Sequence, residues 1–171
     1  MAATAGVSVE TVYKAFGGKA ALLKRVYDVL LVGDEEQIPL RQRPEILAIA
    51  TEPDPRDKIA RYAGIARTLG DRLGPVLAVL LASRGSDPEL EDFARTIDAE
   101  RLSGATGFVA QFADRGLLRT DFDRRHASDL AWTLISPAVY LMLQERGWNS
   151  EQYERWLSGA LADALLSAPP S

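Results

Sequence analysis

The chain has 171 residues, 47% hydrophobic and 26% charged, which is enough for one well-cored domain and too apolar for a disordered chain. It has no cysteine, which excludes disulfides, thiolate metal sites and thiol nucleophiles together and suits a reducing cytoplasm. The net charge of -4 argues against nucleic acid as a partner, yet it is unevenly spread: residues 1–32 carry +2 and the rest -6, the layout of a basic reader head on an acidic body.

The first predicted elements lie at the basic end. Residues 2–16 read as the end of one helix, a tight turn and a short second helix. Gly6, with no Cβ, suits the positive φ that ends a helix. Ser8 is a good N-cap for a helix over Val9 to Phe16, in which Val9, Val12 and Phe16 fall on one stripe. Ala2 allows a close crossing, Gly6 turns the chain and Val12 fills the gap, which is the order two helices need to cross through a short turn. Gly17-Gly18 ends this helix. Lys19 to Val32 then carries Leu22, Leu23, Val26, Val29 and Leu30 at helical spacing, with Lys24 and Arg25 off the stripe.

The run Gly6-Val7-Ser8-Val9-Glu10-Thr11-Val12-Tyr13-Lys14-Ala15-Phe16, with Lys19, Leu22 and Leu23 after it, resembles the recognition-helix signature of the tetracycline-repressor (TetR) family of bacterial regulators. The resemblance implies a dimeric transcriptional regulator, most often a repressor released by a small molecule. By the same resemblance Ser8, Val9, Glu10 and Thr11 face the bases at the start of the recognition helix. Tyr13, Lys14 and Lys19 lie near phosphates, as helix starts and basic or hydroxyl side chains favour. Family members place a first helix and most of a second before the turn glycine. Here only Met1 to Ala5 precede it, too few to hold a helix alone. Two explanations stay open: residues missing from the start, or a chain shortened in fact that binds DNA poorly or not at all. In the second case the protein is a dimeric ligand-binding module that has lost DNA contact.

Residues 33–54 are the least regular part. Asp34-Glu35-Glu36 is a solvated acidic run, and Pro39, Pro44 and Pro53 interrupt the segment, leaving room for a short helix from Pro44 to Ala50. The head therefore covers residues 1–33 and the helical effector-binding and dimerisation body 34–171. Asp54-Pro55-Arg56-Asp57 is a strong helix start, followed by Ile59, Tyr62, Ala66, Leu69 and Leu73 at helical spacing. Gly74-Pro75 is expected to break or kink the chain before the apolar run from Val76 to Leu81. Ser86 and Glu89 stand at capping-box spacing for a helix with Leu90, Phe93, Ile97, Phe108 and Phe112 on its inner face, ended by Gly116. Asp123 caps a helix expected from Arg124 to Arg146 with a kink at Ser136-Pro137. Asn149 or Ser150 caps the last helix, which carries Tyr153, Trp156, Leu157, Leu161 and Leu165. No strand, repeat or low-complexity segment is seen, so the fold class is all-α.

The segment from Trp132 to Leu143 is apolar on more than one face. Together with the resemblance, this suggests that the last two helices pair with their copies in a homodimer. No apolar run is long enough to span a bilayer, and the start lacks the pattern of an export signal, so the expected place is the cytoplasm with no membrane partner. Enzyme chemistry finds little support. His126 is the single histidine and follows Arg124-Arg125 near a helix start. Gly17-Gly18-Lys19-Ala20 lacks the hydroxyl and the leading glycine of a phosphate loop. Asp121 and Asp123 lack further ligand spacing for calcium. No metal or cofactor is expected, and acidic and basic pairs elsewhere read as solvated helix faces. By resemblance, a ligand pocket lies between the middle helices, with Tyr62, Phe93, Phe112, Trp132 and Met142 as candidate linings for a small hydrophobic or aromatic effector. The expected partners are thus a double-stranded DNA operator, such an effector and a second copy of the chain.

Overall fold

The structure is a computed structural model that describes residues 17–33, 40–83, 85 and 87–167. The described residues form α-helices joined by short turns: α1 Lys19–Val32, a 3-10 turn Leu40–Gln42, α2 Pro44–Thr51, α3 Pro55–Ala82, α4 Pro88–Ala113, α5 Arg124–Leu134, α6 Pro137–Glu145 and α7 Ser150–Leu165. No strand occurs among them; Leu118 and Leu166 make an isolated antiparallel bridge. The fold class is therefore all-α, as the periodicity predicts. The stretch read as a recognition helix, residues 9–16, lies outside the described residues, as does Ser86.

Helix starts follow local chemistry closely. Asp54 caps α3 by accepting from the amides of Arg56 and Asp57, with Pro55 in the first position. Asp123 accepts from the His126 amide, and Asn149 forms a full capping box with Gln152. The cap of α4 is Asp87 rather than Ser86: Asp87 directly precedes Pro88 and accepts from the amides of Glu89 and Leu90.

The two X-Pro steps differ: the helix runs on through Gly74-Pro75, while the kink expected at Ser136-Pro137 is a full break. Gly74-Pro75 does not break the chain: α3 runs unbroken for 28 residues with Pro75 inside it. Pro75 is exposed while Leu73, Gly74, Val76 and Leu77 are buried around it, so packing outweighs a helix-interior penalty of about 3 kcal/mol. Ser136-Pro137, by contrast, separates two helices instead of kinking one. Ser136 is extended (φ -61°, ψ 133°), and its hydroxyl accepts from the Ala138 amide to cap α6.

Helix α3, about 42 Å long at 1.5 Å per residue, is the spine. Its first half places Ile59 and Ala63 in one core cluster, and its second half places Leu73, Val76, Leu77 and Leu80 in another. Helix α4 runs back between the same clusters. Leu90 and Ile97 enter the second, and Ala105, Phe108, Val109 and Phe112 enter the first. The first cluster is closed by Ile49 of α2, Ala127 and Ala131 of α5, Tyr140 of α6 and the stripe Tyr153, Leu157, Leu161 and Leu165 of α7. The second is closed by Tyr27 of α1, which meets Phe93 edge-on at 5.5 Å. Lys58 is buried at the near end of α3, where its ammonium donates to the Ala50 carbonyl (3.2 Å) and to Gln111 Oε1 (2.8 Å), tying α2 to α3 and α4.

The apolar segment from Trp132 to Leu143 is largely covered within the chain. The break at Ser136 lets its two halves turn different faces inward. Tyr140 is buried, and Trp132, Leu134, Ile135, Leu141 and Leu143 pack against the first cluster. Met142 is the member of the segment that stays well exposed, at 56%.

Helices α3 and α6 cross closely because Gly70 and Gly74 leave a groove for Tyr140. A Cβ built on Gly70 would lie 2.9 Å from the Tyr140 ring, and one on Gly74 3.6 Å from it. The Tyr140 hydroxyl donates to Asp71 Oδ1 (2.6 Å), which also accepts from Ser150 Oγ (2.5 Å). Arg67 pairs with Asp71 (3.2 Å) and with Glu154 (2.6 Å), so the crossing is bolted to α7 as well. Overpacking at such a contact costs about 1–3 kcal/mol, so Gly70→Ala is expected to lower the unfolding free energy in urea by that amount. Gly104 has open space around it, so Gly104→Ala is expected to raise stability by about 0.5–1 kcal/mol through helix propensity.

Candidate functional site

Lys19 is the first residue of α1 and is exposed. Gly18 precedes it with φ 134° and makes no side-chain cap, so the first amides of α1 point outward beside a cation. The other residues expected near DNA, Ser8, Val9, Glu10, Thr11, Tyr13 and Lys14, lie outside the described residues.

The five aromatic and methionine candidates do not gather around one cavity. Tyr62 stacks on Phe108 with ring centroids 3.9 Å apart, and Phe112 meets Phe108 edge-on at 5.0 Å, so both serve the first core cluster. Phe93 lies beside Tyr27 in the second cluster, and Met142 is exposed. Trp132 lines the cavity described next.

That cavity, of about 100 Å³, lies between the second half of α3, the middle of α4 and the α5–α6 junction. Its apolar wall includes Leu77, Leu80, Leu81, Ala94 and Ile97, and its polar wall is Asp98, Arg101 and Ser136. Arg101 organises the polar side. Its Nη1 donates to Asp98 Oδ1 at 2.9 Å, its Nη2 donates to the Trp132 carbonyl at 2.9 Å, and its guanidinium stands 5.4 Å from the Trp132 ring centroid. Arginine suits this place because a planar, delocalised cation can fork to two acceptors and face an indole at once. Burial pushes the Arg101 pKa down, and Asp98 opposes that shift. The same cation sits within the field of three buried phenols. Burial raises Tyr27 and Tyr62 to about 12 and Tyr153 further, while Arg101 pulls each back.

Sequence reasoning passed over Asp98 and Arg101. An acid and a base three residues apart on a helix read as a solvated pair. The signal that marks them is their position: Asp98 directly follows inward-facing Ile97, and Arg101 lies one turn on.

A second, wider hollow of about 460 Å³ is lined by Arg56, Arg119, Thr120, Asp121, Ala162, Asp163, Leu166 and Ser167. Within it Arg119 forks to Asp121 and donates to the Asp163 carbonyl. No cluster of three or more His, Asp or Glu able to hold a metal ion occurs among the described residues. Within the same residues no helix is long and apolar enough to cross a membrane. Comparison with family models, characterised proteins and solved structures finds no match.

Arg101→Met removes the donor to Asp98 and to the Trp132 carbonyl, and is expected to cost about 1–3 kcal/mol in urea unfolding. Arg101→Lys is expected to recover less than half of that loss, because an ammonium lacks the fork. The raised phenols set an alkaline limit. Below pH 10 both states hold these protons, whereas between about 10 and 12 the unfolded chain loses them first, so stability falls as pH rises. Tyr27→Phe and Tyr62→Phe are each expected to flatten that fall, read from unfolding midpoints across the same pH window.

Proposed function

We propose that the chain is a DNA-binding transcriptional regulator of the TetR type: a dimeric repressor, acting in the cytoplasm without catalysis, that leaves its operator when a small molecule enters the body. The observation that carries this reading is a physical continuity between a reading motif and a cavity wall. The motif-like run ends at Lys19, where α1 begins. Helix α1 is seated by Tyr27 in a cluster that includes Leu77, Leu80 and Ile97, and those three side chains also line the cavity.

Under this reading an occupant that presses on Leu77, Leu80 and Ile97 shifts the seat of Tyr27 and tilts α1. Whatever α1 carries at its N-terminal end then swings. In a dimer that reads successive major grooves, the two heads must stay about 34 Å apart, so a small tilt lowers affinity steeply. Met142, exposed on α6, and Trp156, partly buried on α7, are apolar side chains open to a second copy along the last two helices. A ligand-binding body without DNA contact is the competing outcome, and the same experiment separates the two.

Duplex fragments of the source genome are offered to the purified chain, and to the chain extended by any residues encoded in frame before Met1. Retention that weakens steeply with salt supports the regulator. Lys19→Ala and Tyr13→Ala are expected to lower affinity on all sequences alike, with Lys19→Ala reducing the salt slope by about 1. Thr11→Ala is expected to change the preferred sequence instead. If neither form shows salt-dependent binding, the regulator reading is wrong.

A further inference from the structure

Helix α1 lies on the body along one stripe. Among its described side chains Tyr27 alone is fully buried, Leu23, Val26, Leu30 and Leu31 are half-buried, and Val29 is 63% exposed. The carboxyl end of the helix therefore matters to the angle at which it lies. Gly33 closes α1 in the left-handed conformation (φ 76°), and its amide donates to the Val29 carbonyl at 3.0 Å. The guanidinium of Arg72, from the middle of α3, fills the space where a side chain at this position would begin. A Cβ built on Gly33 would lie 2.7 Å from Arg72 Cζ and nearer still to Nη1. Both the backbone conformation and this contact need glycine.

A helix ends in carbonyls that lack an intrahelical donor, and so in partial negative charge. Helix α1 has no basic residue in its last turn to meet them. Arg72 brings a cation to that end from another helix. Its own backbone is firmly based: Leu73, the next residue, is buried in the second cluster, and Asp71, the one before, accepts from Tyr140 and Ser150. One turn of α3 thus holds α6 and α7 through Asp71 and reaches α1 through Arg72.

We propose that Arg72 and Gly33 form a clasp between the carboxyl end of α1 and the middle of α3, and that α1 opens from the body as a unit about Gly33 while α2 to α7 stay folded. The arm then has two fastenings, an apolar one at Tyr27 and an electrostatic one at Gly33. Arg72 is exposed, so salt screens the second fastening. The inference goes beyond the regulator reading and stands on the body alone. Under that reading, the clasp sets the angle of whatever α1 carries.

The test is native-state hydrogen exchange, comparing the amides of α1 from Leu23 to Leu31 with those of α7. The α1 amides are expected to share one opening step and to open more readily than those of α7. A cation at a helix end shifts an equilibrium by about two- to fivefold. Arg72→Met is therefore expected to speed α1 exchange by about that factor and to leave α7 unchanged. Arg72→Glu is expected to speed it further, and Arg72→Lys to keep most of the protection. Raising sodium chloride from about 0.02 M to about 0.5 M, which shortens the screening length severalfold, is expected to speed α1 exchange in the unaltered protein and not in Arg72→Met. Gly33→Ala both strains the left-handed turn and displaces the guanidinium. Beside Arg72→Ala only the strain remains, so the two losses are expected to fall short of their sum. The proposal is overturned if Arg72→Met leaves α1 exchange unchanged, if α1 and α7 change together, or if the losses from Gly33→Ala and Arg72→Ala simply add. DNA plays no part in these measurements, so their failure removes the clasp and leaves the regulator reading where it stands.

Discussion

The arrangement depends on one half-buried cation. Arg101 stands where the two core clusters meet, with Tyr62 and Tyr153 of the first and Tyr27 of the second within its field. A guanidinium there demands acceptors, and it finds them in Asp98 on its own helix and in the Trp132 carbonyl of α5. The second bond ties α4 to the end of α5, close to where Ser136 starts α6. A hydrocarbon side chain in its place would make no such directional link. Because the cation needs space and partners, the clusters do not close over it, and the small cavity is the room that remains.

The rest of the body follows from two long helices that visit both clusters. Helix α3 can be long because apolar residues bury on both sides of Pro75, and α6 can lie close to it because Gly70 and Gly74 carry no Cβ. Asp71 then accepts from both Tyr140 and Ser150, so a single carboxylate fixes α6 and α7 to α3. The first cluster, held by α2 to α7, is the larger. The second has α1 as one wall, through Tyr27, and shares Leu77, Leu80 and Ile97 with the cavity. A change in the cavity and a change in the seat of α1 are therefore changes in the same few side chains. That sharing is the physical content of a ligand-responsive reading, whatever the head contacts.

Local chemistry was legible from the residues alone. The caps Asp54, Asp123 and Asn149 are decided within four residues, because a side-chain oxygen reaches only the nearest amides. The apolar stripes of α3, α4 and α7 are legible for the same reason: 3.6-residue periodicity is a property of the chain itself. The all-α class follows from those two signals. The reading of residues 6–23 as a DNA-contacting motif rests on the sequence throughout.

Tertiary structure decided what local signals leave ambiguous. Gly74-Pro75 and Ser136-Pro137 look alike as breakers, yet the first lies inside a helix and the second between two, because only at the first does packing on both flanks outweigh the lost amide. Tyr62, Phe93, Phe112 and Trp132 are alike as large side chains, and only the positions of neighbouring helices assign three to core clusters and one to a cavity wall. Asp98 and Arg101, an ordinary surface pair by spacing, became the polar side of a cavity when α5 arrived with a carbonyl and an indole. A sequence fixes which faces of a helix are apolar; what each face meets is set by contacts between residues far apart in the chain.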